Sequence, residues 1–135
     1  MQSANAMSFA DDMQNQLHEL AIGTIRFTRT LPSTDEAREW GGQLRRASTG
    51  ASAAYRASRR GKSRPDWLDK IADCVEELDE VVNWMTVIDE SGLASVPQKL
   101  RSVSRELRAI LAKALATGRA NERRRKEGYK PRSPK

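Results

Sequence analysis

Residues Trp67–Ile88 read WLDKIADCVEELDEVVNWMTVI, and their spacing decides the fold class. Leu68, Ile71, Val75, Leu78, Val82 and Met85 alternate at intervals of three and four, the a and d pattern of a helix. Trp67, Cys74, Val81 and Ile88 add a third column at every seventh residue. A face that wide exceeds a two-stranded seam and predicts a helix packed against several neighbours. The opposite face is acidic, with Asp69, Asp73, Glu76, Glu77, Asp79 and Glu80, and Trp84 interrupts it as a large aromatic on a charged surface. Ser63 and Pro65 mark the start, and Asp66 suits the positive end of the helix dipole.

Three further stripes supply the neighbours. Met13, Leu17, Leu20, Thr24, Phe27 and Leu31 predict a first helix over about Phe9 to Leu31, stopped by Pro32. Ser33 as N-cap with Glu36 three residues on opens a second, carried by Trp40, Leu44, Ala47, Ala51, Ala54 and Ser58 and ending near Arg60 at Gly61. Ser95, Pro97 and Gln98 open a fourth, with the stripe Val96, Leu100, Val103, Leu107, Ile110 and Ala114, which fades at Thr117 and Gly118. The fold class expected is all-α: an antiparallel up-down-up-down four-helix bundle over residues 9–118, after a flexible N-terminus at 1–8. The run Ala47–Ala54, nearly all small residues, has the composition of a flexible linker, but its preserved periodicity favours two helices in close approach.

Charge separates the bundle from the C-terminal segment. From Arg119 to Lys135 there are eight cations against Glu122 and Glu127, which accounts for the whole formal charge of +6, so residues 1–118 are neutral. Arg119, Arg123, Arg124, Arg125, Lys126 and Lys130 lie in this basic C-terminal tail. With two prolines and Tyr129 as its only large apolar residue, the tail is expected to be disordered when free, with a part open to continuing the fourth helix. A second concentration, between Gly41 and Arg64, holds Arg45, Arg46, Arg56, Arg59, Arg60, Lys62 and Arg64 and no acid. It complements the acidic third helix, within one chain or across a subunit boundary, against the plainer reading of ordinary surface charge.

The residue inventory argues against an enzyme. His18 is the only histidine, so histidine clusters and the Glu-x-x-His pairs of carboxylate di-iron bundles are missing, and His18 is expected on a solvated face. Cys74 sits in an apolar column, where a small hydrophobe is expected rather than a nucleophile, and one cysteine makes no internal disulfide. No glycine-rich phosphate loop occurs, and no cofactor is expected. Asp69, Asp73, Glu76, Glu77 and Glu80 share a face that could hold a cation, though a solvated surface is the default expectation. No apolar run reaches the roughly 18 to 20 residues that span a bilayer, and no signal peptide is visible; no membrane partner and a cytoplasmic location are expected.

Leu31-Pro32, then Glu36, then Gln43-Leu44-Arg45-Arg46-Ala47, followed by the small-residue run and a basic loop, resembles the four-helix-bundle proteins encoded by intervening sequences of bacterial large-subunit ribosomal RNA genes. Those proteins look like relatives of the accessory variability proteins of diversity-generating retroelements, which bind nucleic acid and a reverse transcriptase. The family's Ser-Ile-x-x-Asn-Ile-Ala-Glu-Gly stretch is replaced here by Gly50–Ser58, without its asparagine and glutamate, and its Gly-Ser-x-x-Glu-Leu pattern survives only as Glu77 and Leu78. The resemblance implies a homopentamer around a central channel, without known catalysis. Trp84 is the candidate oligomer-interface residue, being of the type enriched at interface centres.

Two functions are expected from these features. One is a non-enzymatic oligomeric scaffold that binds RNA or DNA with little sequence preference through Arg45, Arg46, Arg56, Arg59, Arg60 and the tail, with Tyr55 and Tyr129 as stacking groups. The alternative is a protein-interaction adaptor whose tail docks on an acidic or polymerase-like protein.

Overall fold

The computed structural model describes residues 7–128 and folds them into four helices: α1 (Phe9–Thr28), α2 (Asp35–Ser58), α3 (Arg64–Glu90) and α4 (Gln98–Gly128). No strand occurs among the described residues, and no helix among them is long and apolar enough to cross a membrane. Around the bundle α1 neighbours α2, α2 neighbours α3, α3 neighbours α4, and α4 returns to α1. The α2–α3 pair packs most extensively and the α4–α1 seam least.

The helix starts obey capping chemistry. Ser8 and Ser63 accept hydrogen bonds from the backbone N–H groups of Asp11 (3.0 Å) and Asp66 (3.2 Å), each satisfying a first-turn donor that has no intrahelical partner. In α2 the cap is Thr34, one residue later than the sequence pattern indicates: its hydroxyl accepts from the Ala37 N–H at 3.1 Å. The turn before it closes on Thr30 and Leu31 N–H groups that donate to Phe27 and Thr28 carbonyls, so α1 stops at Thr28 and Leu31 is a half-buried turn residue. Gly92, at φ +82, takes the left-handed conformation that turns the chain out of α3. The loop beyond it is tied by Asp89, whose Oδ2 accepts from the Val96 N–H (3.1 Å) and from Arg101 (3.3 Å), and α4 begins at Gln98.

The core assembles from these faces, with two differences of register. On α3 the buried column is Leu68, Ile71, Cys74, Leu78, Val81, Met85 and Ile88, while Val75 and Val82 flank it. The every-seventh-residue column therefore sits deeper than part of the a and d pattern. On α4 the buried residues are Ser104, Leu107, Leu111, Leu115 and Gly118, so Leu111 (1% exposed) and Leu115 take the places expected for Ile110 (36%) and Ala114. α4 carries two adjacent apolar columns that share Leu107, and the one continuing through Leu111 and Leu115 is the buried one.

Ala47–Ala54 lies wholly inside α2, and it is a close approach rather than a linker. Ala47, Ser48, Ala51 and Ser52 are buried, and the Cys74 thiol on α3 donates to the Ala51 carbonyl at 3.3 Å. A β-carbon placed on Gly50 would stand 2.9 Å from the Glu77 carboxyl carbon, so the side chain of α3 occupies the space glycine leaves. Gly118 does the same between α4 and α3, where a β-carbon would fall 2.6 Å from Leu68 Cδ2 and 3.3 Å from the Trp67 ring. The residue at which the sequence stripe fades is thus a packing position in mid-helix.

Candidate nucleic-acid interface

α4 is the longest helix, and its last ten residues carry much of the basic tail. Arg119, Arg123, Arg124, Arg125 and Lys126 are all exposed on helix, which corrects the expectation of disorder for this part in favour of the option that the tail continues the fourth helix, and Gly118 lies in a helix interior. Lys130 and Tyr129 lie outside the described residues. Arg123 to Lys126 are four consecutive cations at about 100° per residue, so their charge encircles the helix rather than striping one side. Arg125 and Lys126 also suit the negative end of the α4 dipole.

The other predicted cations divide into two groups. Arg56 in the last turn of α2, Arg59 and Arg60 just after it, and Lys62 and Arg64 line the corner where the chain turns into α3. All five are exposed. Arg59 is engaged within the chain: its guanidinium pairs with Asp11 at 2.9 Å and donates to the Gln14 side chain at 3.0 Å. That pairing holds the Asp11 carboxyl below its usual range, the Arg59 hydrogen bond being the main cause and the Ser8 hydroxyl the next. Arg45 and Arg46 sit ten or more residues earlier on α2, about 15 Å along its axis from Arg56, and so form a separate patch.

One ion pair locates the corner against the α4 extension. Glu122 Oε1 lies 3.9 Å from Arg64 Nε, at the first residue of α3, and 3.7 Å from Arg125 within α4. Four residues before it, Gly118 packs on Leu68 and Trp67 at the start of α3. The corner and the extension therefore meet at one end of the bundle. Asp89 and Arg101 (3.3 Å) and Asp79 with Arg108 (3.1 Å) join α3 to α4 further along.

Several expected contributors stand elsewhere. Tyr55 is buried at 4% exposure, and burial raises its phenol pKa, so it offers no stacking face. Trp84 is half-buried and packed against the core, which corrects its reading as an exposed aromatic anchor. His18 is exposed on α1, and Cys74 is buried in the core, as their spacing indicated. Trp67 is the aromatic that periodicity assigns to the core and the structure leaves half-buried beside Arg64, bordering a shallow concavity. Its position in the outermost turn of α3, next to Pro65, is the signal that could have marked it.

Among the described residues, no ion pair joins the basic segment to the acidic face of α3. Asp73, Glu76, Glu77 and Glu80 line an open concavity with Ala54, and no group of three or more His, Cys, Asp or Glu side chains among the described residues is placed to hold a metal ion. Burial, then the neighbouring Glu80, Asp73 and Glu76 charges, raise the Glu77 carboxyl pKa, and Arg46 opposes them. Comparison with protein-family models, curated proteins and solved structures finds no match for the chain.

Proposed function

We propose that this chain is a non-enzymatic, oligomeric scaffold that binds RNA or DNA through its basic end and without base-specific readout. The observation that carries the reading is the meeting of two basic elements at one end of the bundle: the α2–α3 corner, with Arg56, Arg60, Lys62 and Arg64, and the helical extension, with Arg119 and Arg123 to Lys126. Clustered cations gain affinity by releasing counterions condensed on phosphates, a gain that depends on charge density and not on base identity. Arg45 and Arg46 are a secondary patch in this reading.

The helix directions belong to the same proposal. An up-down-up-down, antiparallel course accounts for the pairing of Arg59, after the end of α2, with Asp11 at the start of α1. It also accounts for the contacts of α4: Arg101, near its start, with Asp89 late on α3, and Gly118, near its end, with Leu68 early on α3. Association of copies has apolar surface to draw on along the α4–α1 seam, where Leu100 and Val103 border a groove with Leu20 and Gly23, and in the exposed Ile110. Repetition of the basic end in such an assembly raises avidity without further contacts.

Sedimentation velocity tests both halves of the proposal together. The chain is expected at a multiple of 15.1 kDa, and to carry with it two RNA hairpins of unrelated sequence, and the matching DNA duplexes, to a comparable extent. A 15.1 kDa species that leaves every probe unshifted contradicts the proposal.

A further inference from the structure

Glu122 is misplaced for a surface whose only task is to be positive. It stands directly before Arg123, Arg124, Arg125 and Lys126, and its carboxylate lowers the potential there. It is also the least exposed charge of the extension: its side chain is 15% exposed, against 66% for Arg125 and 47% for Arg64. Its Oε1 is fully buried and, among the described residues, accepts no hydrogen bond, while two guanidinium groups stand at 3.7 and 3.9 Å. A buried carboxylate oxygen without a hydrogen bond is kept at a cost that its ion partners must offset.

Its place in the fold shows what that arrangement does. Gly118 is the last residue of α4 buried against α3, and Glu122 comes one turn later, on the same side of the helix. Residues 123–128 are all exposed. Glu122 is therefore the last point at which α4 is held to the bundle, and it is held to Arg64, the residue that begins α3 at the basic corner. Arg119, Arg123 and Lys126 share one face of the helix by their spacing of four and three, adjacent to the face of Glu122 and Arg125.

We propose that Glu122 is a positioning residue for nucleic-acid binding: by clasping Arg64 and Arg125 it fixes the α4 extension against the α2–α3 corner, so that both present their cations to one stretch of phosphate backbone. This rests on the nucleic-acid reading above and adds to it a prediction opposite in sign to simple electrostatics. Neutralising a carboxylate inside a basic surface strengthens phosphate binding if total charge alone matters. If the clasp matters, the same change weakens it, because the two elements no longer engage together.

The test uses the full chain with a mixed-sequence RNA hairpin and the matching DNA duplex, by fluorescence anisotropy across a salt series, with hydrogen exchange of the α4 amides and the melting temperature measured in parallel. Glu122→Gln is expected to weaken binding on the order of fivefold and to flatten the dependence of log affinity on log salt by about one, the loss of one or two phosphate contacts. Exchange in residues 119–126 should quicken while the melting temperature stays near that of the parent. Glu122→Asp keeps the charge and draws the carboxylate back from Arg64, so it too is expected to weaken binding; should Glu122→Gln itself lower the melting temperature, Glu122→Asp decides alone, and affinity equal to the parent's overturns the proposal. Binding by Glu122→Gln as tight as the parent's, or tighter, overturns the clasp and leaves the nucleic-acid reading standing. A parent chain that binds neither probe removes both.

Discussion

Cys74 shows how one side chain can report on the packing of two helices. It is fully buried between α2 and α3, its thiol donates to the Ala51 carbonyl at 3.3 Å, and burial, with a smaller contribution from the Glu77 charge, pushes its pKa from the ordinary 9.0 up to about 12. The thiolate is the reactive form, so the native chain should resist a disulfide-exchange reagent at about pH 8 and react fully only when unfolded. Fast stoichiometric labelling of the native chain contradicts the close approach. The same shift gives a signed pH dependence. Between 9.0 and about 12 the unfolded thiol releases its proton while the native one keeps it, so the unfolded chain binds fewer protons and stability falls as pH rises through that window. In Cys74→Ala that part of the slope should be missing, as urea midpoints over the alkaline range will show.

At the scale of elements, α4 separates the periodicity of a pattern from its phase. Leu107 belongs to both of its apolar columns, and the core takes the one that continues to Leu111 and Leu115 while Ile110 stays at 36% exposure. Leu111→Ala should cost about 2–5 kcal/mol, the range for emptying a packed leucine site. Ile110→Ala should stay within about 0.5 kcal/mol, as for ordinary surface positions. Chemical denaturation of the two variants decides, and a reversal of their order would restore the phase read from spacing. The existence and order of all four helices, and the approximate limits of the first three, were legible in the sequence, because stripes such as Ile71, Leu78 and Met85 and stops such as Pro32 and Gly61 are local signals. The phase on α4 was not, since the expected stripe is apolar throughout while the buried column includes the small Ser104 and Gly118, which admit close packing that spacing alone does not reveal. The cap of α2 moved from Ser33 to Thr34 for a similar reason: both hydroxyls qualify, and the turn through Thr30 and Leu31 selects the second.

At the scale of the whole molecule, the basic elements were legible as charge but not as a place. The tail cations stand out by composition, which favours disorder and leaves helix only as an option, whereas helix α4 runs on to Gly128 and sets Glu122, in the midst of those cations, against Arg64. Arg45 and Arg46 entered the same group as Arg56 to Arg60 by sequence proximity, and the helix rise sets them apart. Aromatic assignments needed the tertiary structure most: Tyr55 is buried in the core, Trp84 and Trp67 are half-buried against it, and Trp67 stands at the basic end. The central claim is that the encircling charge of the α4 extension, held at the basic corner, binds phosphate. Its direct test replaces Arg123, Arg124, Arg125 and Lys126 with glutamine, a good helix former, and tracks binding of a mixed-sequence RNA hairpin across a salt series. The account predicts a large loss of affinity and a fall of up to about three in the slope of log affinity against log salt, with the bundle's melting temperature retained; a variant that keeps the parent's affinity and slope contradicts it.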